Sequence, residues 1–587
     1  MANNNIDNNQ NIGIEHWLPT TKKEIERRGW DYIDVILFSG DAYIDHPSMG
    51  AAVVGRVLES KGYRVAIVPQ PNWRDDLRDF KKLGTPRLFF GVSAGAMDSM
   101  VNHYTANRRR RSDDAYTPGG KAGMRPDHPT IVYSKILKQL FPDVPIVAGG
   151  IEVSLRRLSH YDYWDDMLKP SILADCDADI LIYGMGEKPI VAIADALAGG
   201  KSIGDICNVP QTVIRTSADA MPEQPDDDNI ILHSFEECKR SKLHQAQNFK
   251  TIEIESNLWN GHTLWQKTGN MAIKVNRTNP PMTTEEIDAS FDLPYTRLPH
   301  PRYNGKTIPA YEMIRHSVNM HRGCFGGCAF CTISAHQGKF IACRSKESIL
   351  REVKQVTQMP DFKGYISDLG GPSANMYGMH GKDPSRCAVC RRKSCLFPSP
   401  CSNMDRNHER VLALYRRVDA VKGIRHSYIG SGVRYDLFLD EKGFVDESGK
   451  KYLRELMLHH TSGRLKVAPE HTEDKVLYYM AKPSFRLFER LRAEFDKINR
   501  EEGTHTELVP YFISSHPGCT LQDMRKLASN KSLKGIWMEQ VQDFMPTPMT
   551  TSSIMFCTGL DPRTMKEVFV EHDPERKKEQ KSLFFRK

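Results

Sequence analysis

Residues 320–332 read Met-His-Arg-Gly-Cys-Phe-Gly-Gly-Cys-Ala-Phe-Cys-Thr and place Cys324, Cys328 and Cys331 in the spacing C-x-x-x-C-x-x-C. Three thiolates this close together can hold one iron–sulfur cluster, but a four-iron cluster that only transfers electrons usually has four protein ligands. One iron would then be open to a small molecule. The glycines around the cysteines let the backbone direct N–H groups at the sulfides. The stretch therefore predicts chemistry at the cluster rather than electron storage.

A structural zinc site is the alternative interpretation of the same residues. His336 follows Cys331 by five residues, so the three cysteines and His336 match a tetrahedral Cys3His set. The rest of the chain favours iron–sulfur, because a zinc knuckle does not need a large scaffold of alternating strands and helices.

Such a scaffold is predicted over residues 306–550, where strand and helix patterns alternate as in a parallel α/β barrel. Ser345 is a suitable N-cap for a helix, and the strand pattern that follows ends in Gly370-Gly371. Active sites of these barrels lie at the carboxyl ends of the strands. The pattern places these residues at such ends: Gly370, Gly371, Ser431, Arg434 and Glu470.

The amino-terminal part predicts a doubly wound α/β domain over residues 30–222. Apolar strand patterns at 34–38 and 63–68 flank a helix pattern at 50–61, which indicates a right-handed βαβ unit. Further parallel strands are predicted at 88–92, 144–150 and 180–184. We expect the remaining segments to be a flexible tail at 1–29, a connector at 223–305 and a carboxyl-terminal extension at 551–587.

Several further stretches point to a family. They are Ser-Gly-Asp-Ala-Tyr-Ile-Asp-His-Pro at 39–47, Gly-Gly-Ile-Glu at 149–152, Arg-Arg at 156–157, His-Tyr-Asp-Tyr-Trp at 160–164 and the cysteines at 387–401. With the three-cysteine motif, they resemble the YgiQ-like family of the radical S-adenosylmethionine superfamily over nearly the whole chain. The resemblance implies a fold and cofactors, and it brings no substrate with it.

By this resemblance, Cys324, Cys328 and Cys331 hold a 4Fe-4S cluster whose open iron binds S-adenosylmethionine. One electron from the cluster then yields a 5′-deoxyadenosyl radical that takes hydrogen from a substrate. A one-electron reductant such as flavodoxin or ferredoxin is the implied partner. No residue can be named as catalytic in the hydrogen abstraction.

The resemblance also implies a cofactor pocket made of six residues. Phe330 would lie beside the adenine, and the turn at Gly370 and Gly371 would hold the methionyl amino group. Ser431 and Arg434 would reach the ribose hydroxyls and the methionyl carboxylate, roles that suit a hydroxyl and a forked guanidinium. Glu470 would complete the pocket at the next strand end.

The doubly wound domain resembles the cobalamin-binding-like domain that precedes the barrel in some radical enzymes. Base-off cobalamin binders use Asp-x-His-x-x-Gly, whereas residues 45–50 read Asp-His-Pro-Ser-Met-Gly, without the spacer after the aspartate. Cobalamin is therefore doubtful, and we do not expect His46 to be a ligand. The strand ends of this domain could equally dock the substrate.

A second group of cysteines supplies four thiolates within fifteen residues, at Cys387, Cys390, Cys395 and Cys401. It can close a metal site without other ligands. Zinc and an auxiliary iron–sulfur cluster both fit four sulfurs. Because the group follows the Gly-Gly turn, we expect it near the mouth of the barrel.

Composition and charge bear on location and partners. No apolar run approaches the roughly 18 residues of a membrane span, and thirteen cysteines, seven of them in two clusters, suit metal binding in a reducing cytoplasm. The arginines at 108–111 could grip phosphates, although a net charge of +8 is mild for 587 residues. The alternative function is therefore a metal-stabilised RNA-binding protein with structural cysteine clusters.

Overall fold

The computed structural model describes residues 13–536 and 540–584. The strands of the amino-terminal part are β1 (Val35–Ser39), β2 (Val65–Pro69), β3 (Phe89–Ser93), β4 (Ile146–Gly149), β5 (His160–Asp162), β6 (Met167–Lys169), β7 (Ile180–Ile182), β8 (Thr212–Ser217), β9 (Asn229–Ile231), β10 (Thr263–Thr268) and β11 (Met271–Val275). Its helices are α1 (Lys22–Arg27), α2 (Gly50–Ser60), α3 (Arg78–Lys81), α4 (Ser99–His103), α5 (Pro129–Leu140), α6 (Ile151–Leu155), α7 (Ile172–Asp175), α8 (Glu187–Ala198), α9 (Phe235–Arg240), α10 (Lys242–Glu255) and α11 (Thr284–Phe291).

Within the described residues, nine of these strands form one sheet in the order β2-β1-β3-β4-β7-β8-β11-β10-β9, and β5 pairs with β6 separately. The first five strands in the order of the large sheet are parallel to one another. Strands β1 and β2 are buried along their whole length, as expected for a parallel sheet covered on both faces by helices. The predicted doubly wound domain is confirmed.

The sheet continues past residue 222, where the sequence analysis placed its end. Strand β8 is antiparallel to β7, and the hairpin of β10 and β11 adds to β8 in the same antiparallel sense. The predicted connector therefore contains three strands of the sheet. These short strands were not predicted because they lie among prolines and charged residues. Their alternation of apolar and polar residues indicates a strand only once the neighbouring strand is known.

The predicted amino-terminal tail also packs on the sheet in its described part. Trp17 and Leu18 are buried, and the backbone N–H of Ile67 donates to the carbonyl of Pro19 at 2.9 Å. Residues 1–12 lie outside the described part. The chain thus joins the domain well before residue 30.

The second half of the chain contains many short strands and longer helices. Its strands are β12 (Ser317–Asn319), β13 (His321–Arg322), β14 (Ala342–Cys343), β15 (Tyr365–Ile366), β16 (Asp368–Gly370), β17 (His380–Gly381), β18 (Met404–Asp405), β19 (His426–Ser427), β20 (Leu439–Asp440), β21 (Gly443–Phe444), β22 (Arg464–Glu470), β23 (Glu507–Ser514), β24 (Gln540–Asp543), β25 (Leu560–Asp561) and β26 (Lys566–Glu567). Its helices are α12 (Pro309–Ile314), α13 (Ile333–Gln337), α14 (Lys346–Thr357), α15 (Pro384–Ala388), α16 (Glu409–Asp419), α17 (Glu447–His459), α18 (Asp474–Met480), α19 (Phe485–Glu502), α20 (Leu521–Ala528), α21 (Thr551–Thr558) and α22 (Pro574–Ser582).

Parallel pairing makes this half a partial barrel. Strand β12 pairs with β16, β15 with β19, and β22 with β23 and then β24, all in parallel. Ser345 caps α14 as predicted, because its hydroxyl accepts from the N–H of Ser348. Helices α14, α16, α17 and α19 bury apolar faces in one core. The predicted barrel is confirmed, with part of its last strand pattern, residues 537–539, outside the described residues.

The carboxyl-terminal extension joins the two halves. The hydroxyl of Thr551, at the start of α21, donates to Glu253 of α10 at 2.8 Å, and Ile554 packs with Ala246 and Phe249 of α10. Among the described helices, none is both long and apolar enough to cross a membrane.

A buried charged group at the end of β1 leads to a prediction about pH. Arg125 pairs with Asp41 at 2.7 Å and with Asp114 at 2.9 Å, so two carboxyl groups share one guanidinium. Burial raises the pKa of Asp41 from 3.8 to about 6. Because this folded-state pKa lies above the unfolded one, the contribution of Asp41 to stability is complete below pH 3.8 and is lost as the pH rises through 6.

Between pH 4 and pH 7, the unfolding free energy of the wild-type protein should fall by about 2 kcal/mol more than that of Asp41→Asn. Urea denaturation of both proteins at the two pH values measures the difference. The asparagine keeps an acceptor for the N–H of Ala96, which Asp41 accepts at 2.6 Å. A difference of opposite sign would show that Asp41 is ionised more readily in the folded state.

Candidate functional site

The three predicted cluster cysteines lie in the first cysteine loop, residues 323–331, between β13 and α13. The N–H of Cys324 donates to the carbonyl of Gly338 at 3.1 Å, and the N–H of Cys331 to that of Cys328 at 3.2 Å. Burial raises the pKa of Cys331 to about 12. A metal that binds this sulfur displaces its proton, because thiol ligands bind metals in the deprotonated form.

Gly323 allows this loop to lie close to the segment between α13 and β14. Its φ angle is +86°, and a Cβ atom built on it would lie 2.0 Å from the carbonyl oxygen of Phe340. Both the left-handed angle and the close contact require glycine.

Arg434 connects the loop to the barrel. Its Nη1 donates to the Sγ atom of Cys328 at 3.2 Å, and its Nε donates to Asp436 at 3.0 Å. Gly326 makes room for it, because a Cβ there would lie 2.3 Å from Nη1. The guanidinium thus contacts a cluster cysteine, while its predicted contact with the methionyl carboxylate stays a prediction.

Glu470 lies at the end of β22, as predicted, with a φ angle of +68°. It is buried, and its carboxylate lies 3.8 Å from the ammonium of Lys482. Burial raises the pKa of Glu470, although the nearby charges of Lys482 and Arg434 oppose the shift. Glu470, Lys482, Arg434 and Asp436 therefore form one group of charges beside the cysteines.

The glycine turn and Ser431 come together around Asp368, which the sequence analysis did not single out. The N–H groups of Gly430 and Ser431 donate to Asp368 Oδ1 at 2.9 and 3.1 Å, and the hydroxyl of Ser431 donates to its Oδ2. A Cβ on Gly370 would lie 2.2 Å from the Ser431 hydroxyl. Asp368 begins β16 and lies two residues before Gly370, and a carboxylate so close to the glycine turn is the signal that could have identified it.

Gly371 and Phe330 each lie against a buried histidine. A Cβ on Gly371 would lie 2.6 Å from Nε2 of the buried His321. Phe330 is half-buried and packs edge-on against His516, with ring centroids 6.2 Å apart. The predicted contacts of both residues with S-adenosylmethionine stay predictions.

His336 has a partner other than the cysteines. Its Nδ1 lies 2.9 Å from the hydroxyl of Ser154. Among the described residues, no three ligand atoms from Cys324, Cys328, Cys331 and His336 lie within 4.8 Å of one another. The sulfurs of a tetrahedral zinc site lie about 3.8 Å apart, given zinc–sulfur bonds of about 2.3 Å. The geometry therefore does not support the Cys3His zinc site.

A cavity of about 400 Å³ lies between the carboxyl edge of the nine-stranded sheet and the barrel. Gly150 lines it from the sheet, and Asn319, His321 and Pro372 line it from the barrel. Within the described residues, His46 is not part of its lining; this histidine is buried, and its Nδ1 accepts from the N–H of Ser48 at 3.1 Å.

The arginines at 108–111 are exposed on the surface of the amino-terminal domain. Arg108 packs over the ring of Tyr163 at 4.5 Å. Arg110 and Arg111 line an open groove with Arg74 and Lys121. The groove is basic, and its contact with nucleic acid stays a prediction.

Comparison with known proteins gives the class of this chain. Residues 17–317 match the family model described as Radical SAM N-terminal. Together with the barrel and its cysteine loop, this match defines a radical S-adenosylmethionine enzyme.

Curated relatives cover almost all of the chain. A UPF0313 protein of Bacteroides thetaiotaomicron is 58% identical over 583 residues, which cover 97% of this chain and 94% of the relative. A UPF0313 protein of Methanocella arvoryzae is 46% identical over 563 residues, which cover 96% and 92%. The chain belongs to the UPF0313 family, and the predicted YgiQ-like radical enzyme family is confirmed.

Solved structures that match this chain include two radical enzymes. One is the radical S-adenosylmethionine methyltransferase TsrM from Kitasatospora setae, with 14% identity, a TM-score of 0.45, and 88% of this chain and 75% of that chain covered. The other is the cobalamin-dependent S-adenosylmethionine radical enzyme OxsB, with 10% identity, a TM-score of 0.46, and coverage of 86% and 52%.

Proposed function

We propose that this radical enzyme binds a 4Fe-4S cluster through Cys324, Cys328 and Cys331 and cleaves S-adenosylmethionine to generate a 5′-deoxyadenosyl radical. The observation that supports this most is the half-buried loop of three cysteines with Arg434 donating to the sulfur of Cys328 at 3.2 Å. When bound, the cluster and S-adenosylmethionine supply the one-electron cleavage of the sulfonium that forms the radical.

The residues present suit such a cluster. The three sulfurs are too widely spaced for one tetrahedral ion, as shown above, whereas a four-iron cluster binds each sulfur to a separate iron. Thiolates and sulfides add negative charge to the loop. The Arg434 guanidinium and the backbone N–H groups of the glycine-rich loop are suitable donors to that charge.

The S-adenosylmethionine pocket of this proposal lies at the neighbouring strand ends. The turn at Gly370 and Gly371 offers backbone carbonyls, and Ser431 offers a hydroxyl that Asp368 orients. Phe330, Arg434 and Glu470 complete the set. Asp368 acts here as a positioning residue, because its carboxylate accepts hydrogen bonds from the N–H groups of Gly430 and Ser431.

The 400 Å³ cavity between the two domains is our proposed location for the reacting part of the substrate. It is bounded by the carboxyl ends of the parallel strands, where open α/β sheets bind ligands. A one-electron reductant of the flavodoxin or ferredoxin type is the proposed partner, and the cytoplasm is the proposed location.

The proposal is tested by anaerobic reconstitution with iron and sulfide, followed by addition of dithionite and S-adenosylmethionine and quantification of 5′-deoxyadenosine. We expect product from wild type and from Cys207→Ala, which alters a half-buried cysteine whose thiol donates to the carbonyl of Gly204. Cys328→Ala should reduce product to background. Equal product from wild type and Cys328→Ala, or none from either, would overturn the proposal.

A substitution in the glycine turn tests the cofactor pocket separately. In Gly370→Ala, the new Cβ would lie 2.2 Å from the Ser431 hydroxyl and 2.5 Å from Asp368, and overpacking of this kind costs about 1–3 kcal/mol. We expect the S-adenosylmethionine concentration for half-maximal 5′-deoxyadenosine formation to rise roughly tenfold. Gly432→Ala is the matched control, since a Cβ there meets nothing within 4 Å. Equal concentrations for both variants would place S-adenosylmethionine away from this turn.

A further inference from the structure

Lys339 is a buried cation without a carboxylate partner. Its side chain is 1% exposed, and its ammonium donates to the carbonyl oxygens of Arg392 at 2.6 Å and Cys390 at 3.3 Å. Within the described residues, no carboxylate lies within 4 Å of it. A buried charge of this kind requires a compensating charge.

The cysteines of the second group surround this lysine. A cavity of about 170 Å³ is lined by Lys339, Cys387, Cys395 and Cys401. Its other walls are mostly apolar and include Phe325, Phe340, Ile341, Met379 and Met404. The cavity thus combines three sulfur ligands, one cation and a mostly apolar lining.

The spacing of the sulfurs separates the two metals that four thiolates can bind. Among the described residues, no three of the sulfurs of Cys387, Cys390, Cys395 and Cys401 lie within 4.8 Å of one another. A tetrahedral zinc ion with bonds of about 2.3 Å would require sulfurs about 3.8 Å apart. A cluster of several irons binds each sulfur to its own iron, so its sulfur ligands lie farther apart.

We propose that Cys387, Cys390, Cys395 and Cys401 bind a second 4Fe-4S cluster, with Lys339 as its buried counter-ion. Four thiolates complete the coordination of all four irons, so this cluster has no open site for a small molecule. The inference does not depend on the function proposed for the first cysteine loop.

The second cysteine group also lies directly against the first cysteine loop. The N–H of Cys395 donates to the carbonyl of Phe325 at 3.0 Å, and the hydroxyl of Ser394 donates to the carbonyl of Gly326 at 2.7 Å. Residues adjacent to Cys324 thus contact residues adjacent to Cys395. The two metal sites are neighbours in the fold.

Metal analysis of protein expressed and purified without oxygen tests the inference. We expect wild type to hold about eight irons and eight sulfides per chain. The variant with Cys324, Cys328 and Cys331 all changed to alanine should keep about four of each. One zinc per wild-type chain, or loss of all iron from the triple variant while its far-ultraviolet circular dichroism matches wild type, would overturn the inference.

The role of Lys339 is tested in the triple-alanine background, where only the second site remains. Lys339→Met removes the positive charge, so the reduction potential of the cluster should move to a more negative value. Lys339→Arg keeps the charge and should restore the potential toward that of the parent. An unchanged potential in Lys339→Met, with four irons bound, would show that the lysine is only a packing residue.

Discussion

Changing Gly323 to alanine is expected to abolish metal loading of the first cysteine loop. The new Cβ would lie 2.0 Å from the Phe340 carbonyl oxygen, a backbone atom that cannot move without displacing the start of β14. The loop must therefore shift, and Cys324 shifts with it. Iron should fall by about four atoms per chain after anaerobic reconstitution, and 5′-deoxyadenosine formation should fall to background.

Gly338→Ala separates the steric clash from the cost of a left-handed angle. Gly338 has a φ angle of +87°, almost equal to that of Gly323, but a Cβ built there meets nothing within 4 Å. Its ψ angle of 166° places Gly338 in a region that essentially only glycine occupies, so we expect this variant to lose about 1–3 kcal/mol of stability from the backbone angles alone and to keep its iron and its activity. Full iron loading of Gly323→Ala would show that the loop tolerates the shift.

Changing Arg434 to glutamine is expected to destabilise the metal-free protein by about 3 kcal/mol, because it leaves the buried carboxylate of Asp436 without its ion-pair partner. The side chains of Arg434 and Asp436 are 11% and 10% exposed, so little water can replace the guanidinium. Urea denaturation of wild type and variant measures the loss.

A second substitution identifies the cause of that loss. In the double variant with Asp436→Asn, the unpaired charge is gone, and most of the stability should return. If the double variant is as unstable as Arg434→Gln alone, the guanidinium stabilises the fold through Cys328 and its packing rather than through Asp436. Either protein should bind iron at the first loop less tightly than wild type, since both lack the donor to Cys328.

Much of the scaffold could be predicted because its signals are local. The run at 465–471 is a short apolar stretch followed by a helix pattern, and β22 forms there. The N-cap at Ser345 needs only a hydroxyl at the right position before a helix, and α14 begins after it. The hairpin of β10 and β11 was missed because its pairing with β8 joins residues more than fifty positions apart.

The charged contacts of the candidate site could not be predicted from the sequence, because they also join residues that are far apart in the chain. Arg434 donates to a cysteine 106 positions away, and a sequence pattern gives no sign of that contact. Lys339 follows a glycine and resembles a surface lysine until the chain folds it against the second cysteine group. Burial of a cation is a property of the tertiary structure, and only its consequence, the need for a negative partner, follows from elementary electrostatics.

The contact between the two cysteine groups also bears on when the enzyme can mature in the cell. Ser394 lies where a side chain on Gly327 would be, with its Cβ only 2.7 Å from that position. One side of the first cysteine loop is therefore uncovered until the residues near 394 have left the ribosome and packed against it. A scaffold protein that delivers iron and sulfide should thus recognise a chain whose barrel is already largely synthesised, and truncated chains that end before the second cysteine group should be poor recipients.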